Sequence, residues 1–348
     1  MSIRHRPMRP KDVRECVEIV ASHPIVAPRY GDALAELRPA WLRLLSSNGF
    51  CSAVVFEEID EAAGRARARL LGVGVTVFVS DDFLRELKTP PFLWIGPELV
   101  KRVMRGDSPL LSEKQVRDAN ARGGLNLAVW QACIRVEDIK RADVWAELMT
   151  AFLDEHRGFL LNELVAHGES PEHLEGMRGS GGRLLRSSDG CYTDFDGENL
   201  HEIVREPHIS GYTREIAQTQ LGSWVGSLFL YEPPRFGFST SEQRLLLAAL
   251  AGGIDEQLSD QLGVSLSTIR KMWRSIYRRV AAINPELVPS DSQANGEASK
   301  RGKNKKQRLI AYLREHRQEL RPVSRKILQE NTARERSCDQ DRTASDFI

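Results

Sequence analysis

The sequence predicts an α+β protein in two parts. A mixed sheet with flanking helices occupies residues 1–233, and an all-α domain built on a helix-turn-helix occupies 234–284. A linker (285–304), a basic tail helix (305–330) and a disordered end (331–348) follow. Three observations carry this reading. Phe50–Glu57, Ala68–Val79 and Leu125–Val136 are apolar, β-branched runs of strand length, with helical patterns between them. From Phe238 to Val280 the apolar period changes to that of helices, punctuated by caps and glycine stops. Beyond Val264 the charge turns strongly positive.

Composition limits the function classes. A chain of 348 residues with 41% hydrophobic content is long enough for at least two cores. Net charge is +1, which excludes a basic nucleic-acid coat. Yet Val264–Ser337 holds 18 Lys and Arg against 7 Asp and Glu, the pattern of a DNA-binding module joined to a neutral body. The five cysteines (Cys16, Cys51, Cys133, Cys191, Cys338) are scattered and include no C-x-x-C. They indicate a reducing compartment and no disulfide frame or zinc site. No signal peptide or membrane-length apolar run is present, so a cytoplasmic location is expected.

The elements follow in order. Ile3–Pro7 reads as a short extended segment, and Val13, Cys16, Val17 and Val20 mark a helix that ends near His23-Pro24. Leu34–Leu45 is helical, with a kink or fresh start at Pro39. Phe50–Glu57 and Ala68–Val79 form two strands joined by the loop Asp60–Arg65. Helices are expected over Pro97–Met104 and Glu113–Ala121, then a third strand over Leu125–Val136. Ala142–His156 is a helix with Val144, Leu148, Ala151 and Phe152 inward. Phe159–Ala166 is either a strand or a continuation of that helix, with Gly158 favouring a break. His173–Met177 is helical, and Tyr192–Glu206 is an acidic loop able to line a ligand pocket. The last strand is WVGSLFLY, closed by Pro233-Pro234 as the domain boundary.

The second part is more sharply patterned. Ser239 and Glu242 form a capping box ahead of a helix carrying Leu245, Leu246, Ala249 and Leu250. Gly252-Gly253 stops it. Asp255 opens a short helix with Leu258 and Leu262 inward, and Gly263 ends it. Ser265 caps a longer helix whose stripe is Ile269, Trp273, Ile276, Tyr277 and Val280. Ser267, Arg270, Lys271 and Arg274 lie away from that stripe, and Thr268 and Arg278 complete the polar set. A short helix, a tight turn and an amphipathic helix with a cationic face constitute a helix-turn-helix able to enter a major groove. Ser265, Ser267, Thr268, Arg270, Lys271, Arg274 and Arg278 are the expected DNA contacts.

This segment resembles the LuxR/FixJ-type (GerE-like) DNA-binding domain of bacterial transcription regulators. The resemblance runs without a gap from Phe238 to Val280, and Leu262-Gly263-Val264-Ser265 followed by Thr268-Ile269-Arg270 is its most specific part. Ile254 stands where the family has a small hydroxyl residue, Met272-Trp273 replaces a polar pair, and the dimerising fourth helix is missing at its usual distance. The resemblance implies double-stranded DNA as partner and leaves room for a homodimer and a small-molecule effector.

The layout of the first part resembles, more loosely, the GNAT acetyltransferase fold, and IRHRPMRPKDVRECVEIV looks like its first strand and helix. That resemblance implies a Gly-rich pyrophosphate turn, Arg/Gln-x-x-Gly-x-Gly/Ala, after the fourth strand. The string Arg69-Leu-Leu-Gly72-Val-Gly74 fits it, but continues as Val75–Val79 and so sits within a strand. A strand interior frees no N–H groups for phosphate. Where the turn belongs, the chain reads Glu137-Asp138-Ile139-Lys140-Arg141-Ala142, with two carboxylates and no glycine. The expectation is a GNAT-like sensor or scaffold without cofactor or catalytic residues. The alternative is an acyl-CoA-dependent N-acetyltransferase with an appended DNA-binding domain, and a third reading makes the helical module a protein-interaction domain.

Other chemistry is thin. His156 and Glu163 flank Gly158 as surface residues at a helix end, and Cys133 is a buried inert thiol rather than a nucleophile. His5, His23, His156, His167, His173, His201, His208 and His316 show no metal-ligand spacing, so no metal is expected. After the linker, KRGKNKKQR (Lys300–Arg308) suits phosphate contact or a solvated charge run. Leu309–Leu320 reads as a helix that could stand in for the missing fourth one.

Overall fold

A computed structural model describes residues 2–60, 66–185, 192–194, 197–220, 222–250, 252–288, 298–324, 326–328 and 330, with 59, 60, 66, 67 and 298–304 as backbone only. The chain divides into two compact units, Met1–Ala119 with Gly123–Leu230, and Asn120–Arg122 with Tyr231–Ile348. The loop predicted at Asp60–Arg65 and the disordered end predicted at 331–348 lie outside the described residues, apart from Asp60.

The first unit is a mixed α+β fold on an eight-stranded sheet. Its strands are β1 (Ile3–Pro7), β2 (Phe50–Asp60), β3 (Ala66–Val79), β4 (Leu125–Ile134), β5 (Leu161–Ala166), β6 (Arg183–Leu185), β7 (Tyr192–Thr193) and β8 (Ile209–Thr213). Their order is β1-β2-β3-β4-β5-β8-β6-β7. Every neighbouring pair is antiparallel except β4 and β5, which run parallel. That pairing spans only Leu125–Ala128 of β4, while β4 itself continues to Ile134. β5 ends at Ala166, so the second half of β4 runs on past it.

Helices clothe both faces: α1 (Val13–Ser22), α2 (Val26–Tyr30), α3 (Leu34–Leu44), α4 (Asp81–Leu87), α5 (Ile95–Arg105), α6 (Glu113–Ala121), α7 (Ala142–His156), α8 (Pro171–Gly179), α9 (Leu200–Ile203), α10 (Arg214–Thr219) and α11 (Trp224–Phe229). Alternation along β3 assigns the layers. Val73, Val75, Val77 and Val79 share a core with Ile19 of α1, Trp41 of α3 and Leu99 of α5. Phe78, from the opposite face, packs instead with Leu125, Leu161 and Tyr212.

The two glycines of the Arg69–Gly74 string lie inside β3, as the apolar run predicted, and allow close approach there. A Cβ on Gly72 would lie 3.1 Å from the Cys133 carbonyl oxygen, and one on Gly74 would lie 3.2 Å from Leu148 of α7. The region 224–231, predicted as a strand, is instead α11. Ser223 accepts from the Gly226 N–H at 3.0 Å, and the buried Val225, Leu228 and Phe229 recur at helical spacing. The apolar run was ambiguous in period, and the cap together with burial decided it. Phe159–Ala166, left open in the sequence, forms a strand from Leu161.

The second unit contains α12 (Thr240–Leu250), α13 (Asp255–Leu262), α14 (Leu266–Ile283) and α15 (Ala298–Glu315), with a short 3₁₀ turn over Arg317–Leu320. The predicted capping box is present: the Ser239 N–H donates to Glu242 Oε2 at 2.8 Å, and the Glu242 N–H donates to Ser239 Oγ at 3.3 Å. Ser265 accepts from the Thr268 N–H at 3.2 Å. Helix α15 differs from its prediction. It starts at Ala298 rather than after a linker reaching 304, and it stops at Glu315 rather than Leu320. Leu309, Ile310 and Leu313 are buried in one core with Leu246, Ile269 and Trp273. That apolar stripe is thus consumed within its own chain and is not a free dimerisation face.

Gly263 takes φ +64°, the left-handed conformation that turns the chain between α13 and α14. Gly263→Val is expected to destabilise the second unit by roughly 1–2 kcal/mol, because a Cβ is strained there. Hydrogen exchange over α13 and α14 would read this as faster opening, and unchanged protection would refute it.

Candidate functional site

The basic face of α14 is built by its opposite face. Ile269, Ile276 and Val280 are wholly buried, which fixes the helix rotation and turns Ser267, Arg270, Lys271, Arg274 and Arg278 outward as exposed residues. Ser265 is exposed at the N-cap and Thr268 is partly covered. The sequence-predicted contacts therefore lie on one side of one helix. Their charges are also unspent: Arg270, Lys271, Arg274 and Arg278 make no ion pair among the described residues. Arg279, one position along, points inward and approaches Glu242 at 3.5 Å.

Lys306, from the predicted basic cluster, is engaged inside the fold. Its Nζ lies 2.9 Å from Asp255 Oδ1 and 5.0 Å from the Trp273 ring centre. The Trp273 and Tyr277 rings stack at 5.6 Å, and the Trp273 indole N–H donates to Asp255 at 3.3 Å. Lys306 thereby ties α15 to α13 and α14. In place of an even run of solvated charge, the cluster has a structural member.

The first unit holds a cavity of about 1030 Å³ beside the stretch of β4 that runs on past β5. Gly74 and Thr76 of β3, Val129 and Gln131 of β4, Leu148 and Phe152 of α7, and His173 of α8 contribute to its wall. Sequence reasoning missed this site, because its lining comes from nine separate elements. The one signal pointing there was Tyr192–Glu206, predicted as a loop; it contains β7 and α9 instead, and His201 of α9 lines the cavity.

A buried polar cluster backs it. Gln131 Nε2 donates to Glu169 at 3.2 Å, and Gln131 Oε1 accepts from the Tyr30 hydroxyl at 2.9 Å. Arg29 pairs with Glu169 at 3.2 Å and stacks 4.2 Å from the Trp94 ring centre. Burial raises the Glu169 carboxyl to about 7 despite Arg29. Burial lowers His173 and His208 to about 4, so both are neutral at pH 7. His208 donates from Nδ1 to the Glu206 carbonyl and accepts the Gly168 N–H at Nε2, which fixes its tautomer.

His156 and Glu163 were expected at the surface, and both are buried, 1% and 6% exposed. They do not pair with each other. Glu163 accepts from Lys88 at 2.9 Å and from the Tyr192 hydroxyl at 2.5 Å, while His156 contacts Thr76. Sheet and helix packing around Gly158 turned both inward, which local polarity could not reveal. Cys133 is buried as predicted, and burial pushes its thiol up, away from nucleophilic character.

The turn after β4 forms a 3₁₀ helix over Val136–Asp138. Two N–H groups of this turn are already used: Asp138 donates to the Arg135 carbonyl and Arg141 to the Asp138 carbonyl, both at 2.9 Å. The guanidiniums of Arg69 and Arg141 are both held by Glu57 and Asp138. No helix of the described residues is long and apolar enough to cross a membrane.

No family model and no curated protein matches this chain. A solved structure described as histone acetyltransferase HPA2 and related acetyltransferase from Corynebacterium glutamicum is similar over 61% of this chain and 95% of that one. The identity is 11% and the TM-score 0.32, values that carry no argument about fold or activity.

Proposed function

We propose that this protein is a DNA-binding transcription regulator of LuxR type, with α14 as the helix that enters the major groove. The observation that carries the reading is the set of four exposed, unspent cations on one face of a helix whose other face is locked into a core. Ser265, Ser267 and Thr268 at its N-terminus suit base-edge and phosphate contact, and Arg270, Lys271, Arg274 and Arg278 suit the phosphates. The first unit reads as GNAT-like, because one parallel pair sits between antiparallel strands and both of its strands line a cavity. Its role in this reading is that of a sensor or scaffold.

The test is a pull-down of sheared bacterial genomic DNA by the full-length protein, sequenced beside an Arg270→Ala/Lys271→Ala/Arg274→Ala variant. Sharp peaks with a shared motif, lost in the variant, are expected. On the recovered site, the slope of log affinity against log salt is expected to flatten by about 0.9 per phosphate contact removed. Identical flat coverage for both proteins, or an unchanged slope, would end the proposal.

The cavity favours one second reading, an acyl-CoA-dependent N-acetyltransferase with an appended DNA-binding domain. The occupied Asp138 and Arg141 N–H groups, and Arg69 and Arg141 held by carboxylates beside them, weigh against it, since a pyrophosphate draws on both kinds of donor. Calorimetric titration of the full chain with acetyl-CoA decides: saturable heat supports the enzyme reading.

A further inference from the structure

The chemistry of the cavity wall selects its ligand. Rings of Trp145, Phe152, Tyr212 and Trp224 supply much of the surface, and Phe152–Trp224 and Tyr212–Trp224 meet edge to face at 6.2 and 5.7 Å. Among the described residues, many of the polar atoms on this wall are spent within the protein, the Trp224 indole N–H being left open to a ligand. The His156 Nδ1–H donates to the Phe152 carbonyl at 2.7 Å, since a carbonyl only accepts. His156 Nε2 is then left to accept from the Thr76 hydroxyl at 2.8 Å. The Tyr212 hydroxyl is held by Ser180 at 2.8 Å and the Met177 carbonyl at 3.1 Å, and the Trp145 indole N–H donates to Ile139 at 2.8 Å. Gln131 is held by Glu169 and Tyr30.

Of the charged or titratable lining residues Lys140, Glu172 and His201 are exposed at the rim, and Glu155 of α7 is partly covered. A ligand bearing a phosphate or carboxylate would lose its hydration in the interior and gain few donors, none of them cationic except at the rim. An apolar one gains the burial of its surface against rings and aliphatic groups at little polar cost. The volume, about 1030 Å³, accommodates a drug-sized molecule.

We infer that this cavity binds a neutral, predominantly aromatic small molecule as effector, in place of an acyl-CoA thioester. The inference rests on the sensor reading of the first unit and is independent of whether α14 binds DNA.

The test uses N-phenyl-1-naphthylamine, a neutral aromatic probe that brightens on leaving water, titrated into the purified full-length protein without DNA. Saturable brightening at one site per chain is expected, with no displacement by acetyl-CoA. Ala132→Phe, which fills the cavity from β4, and Met149→Glu, which places a charge on its wall from a partly exposed helix position, are each expected to weaken binding at least about tenfold. Met149→Glu alters no core contact of a fully buried residue, so it keeps the test valid if Ala132→Phe fails to fold. Unsaturable brightening, equal binding by a folded Met149→Glu protein, or displacement by acetyl-CoA at matching concentration would each overturn the inference. Absence of DNA binding would leave the titration unchanged, so failure of the regulator reading is separately visible.

Discussion

Glu319→Ala is expected to loosen the whole second unit by about 3 kcal/mol, a large share of the stability of a domain this size. Glu319 is fully buried, and its two carboxylate oxygens accept separate backbone donors, the Arg235 and Phe236 N–H groups, each at 2.9 Å. Alanine would leave both donors without a partner, one of them in a buried setting, and each such loss costs about 1–3 kcal/mol. Glu319→Gln is expected to fare little better. Its amide retains one acceptor and turns an NH₂ against the second N–H. Hydrogen exchange of the full chain checks this through peptides from α12, α14 and α15. Protection unchanged in the alanine variant would show that water replaces the carboxylate, and would refute the expected cost.

Acid is expected to destabilise the first unit in a defined window. In the unfolded chain His173 and His208 take up protons as pH falls below about 6.5. In the fold, burial holds them neutral down to about 4. The unfolded state therefore binds more protons between those values, and stability falls as pH falls from about 6.5 to about 4. His167 is lowered as well, chiefly by burial and then by His208, and acts in the same sense.

Glu169 acts in the opposite sense. Its folded value of about 7 stands above the ordinary carboxyl range, so its contribution is fully present at low pH and is lost as pH rises through about 7. Each full imidazole shift is worth up to about 3 kcal/mol, and Glu169 offsets about one of them. A net loss on the order of 3 kcal/mol or more is expected between pH 6.5 and 4. Thermal melts followed by tryptophan fluorescence report it, because Trp41, Trp94, Trp130, Trp145 and Trp224 all lie in the first unit. A melting temperature that stays level from pH 6.5 to 4.5 would show these histidines to be protonated in the fold.

Particular residues show where sequence reading succeeded. The Ser239/Glu242 box, the Gly263 turn and the Ser265 cap were legible because each is a contact between residues three or four apart. What Glu242 also does was not legible. It is buried at 4% exposure and accepts from the Ser275 hydroxyl at 2.8 Å, which joins the start of α12 to α14. A continuous apolar, β-branched run marked β3, and Gly72 and Gly74 lie inside that strand as the run predicted. The same apolar character misled at Trp224–Phe229, where a run too short to show its period became α11.

By itself, the sequence determined the strands around Val54, Val75 and Leu127, and the caps and stripe of α14. It also determined which of that helix's cations face water, because these depend on neighbours along the chain. Only the tertiary structure decided that α15 spends its apolar stripe inside the fold, that Lys306 is a tie between helices, and that β4 and β5 line an aromatic cavity. The reason is physical: each of those features joins residues many positions apart. The burial that fixes charge, tautomer and ligand chemistry there exists only after the chain has packed.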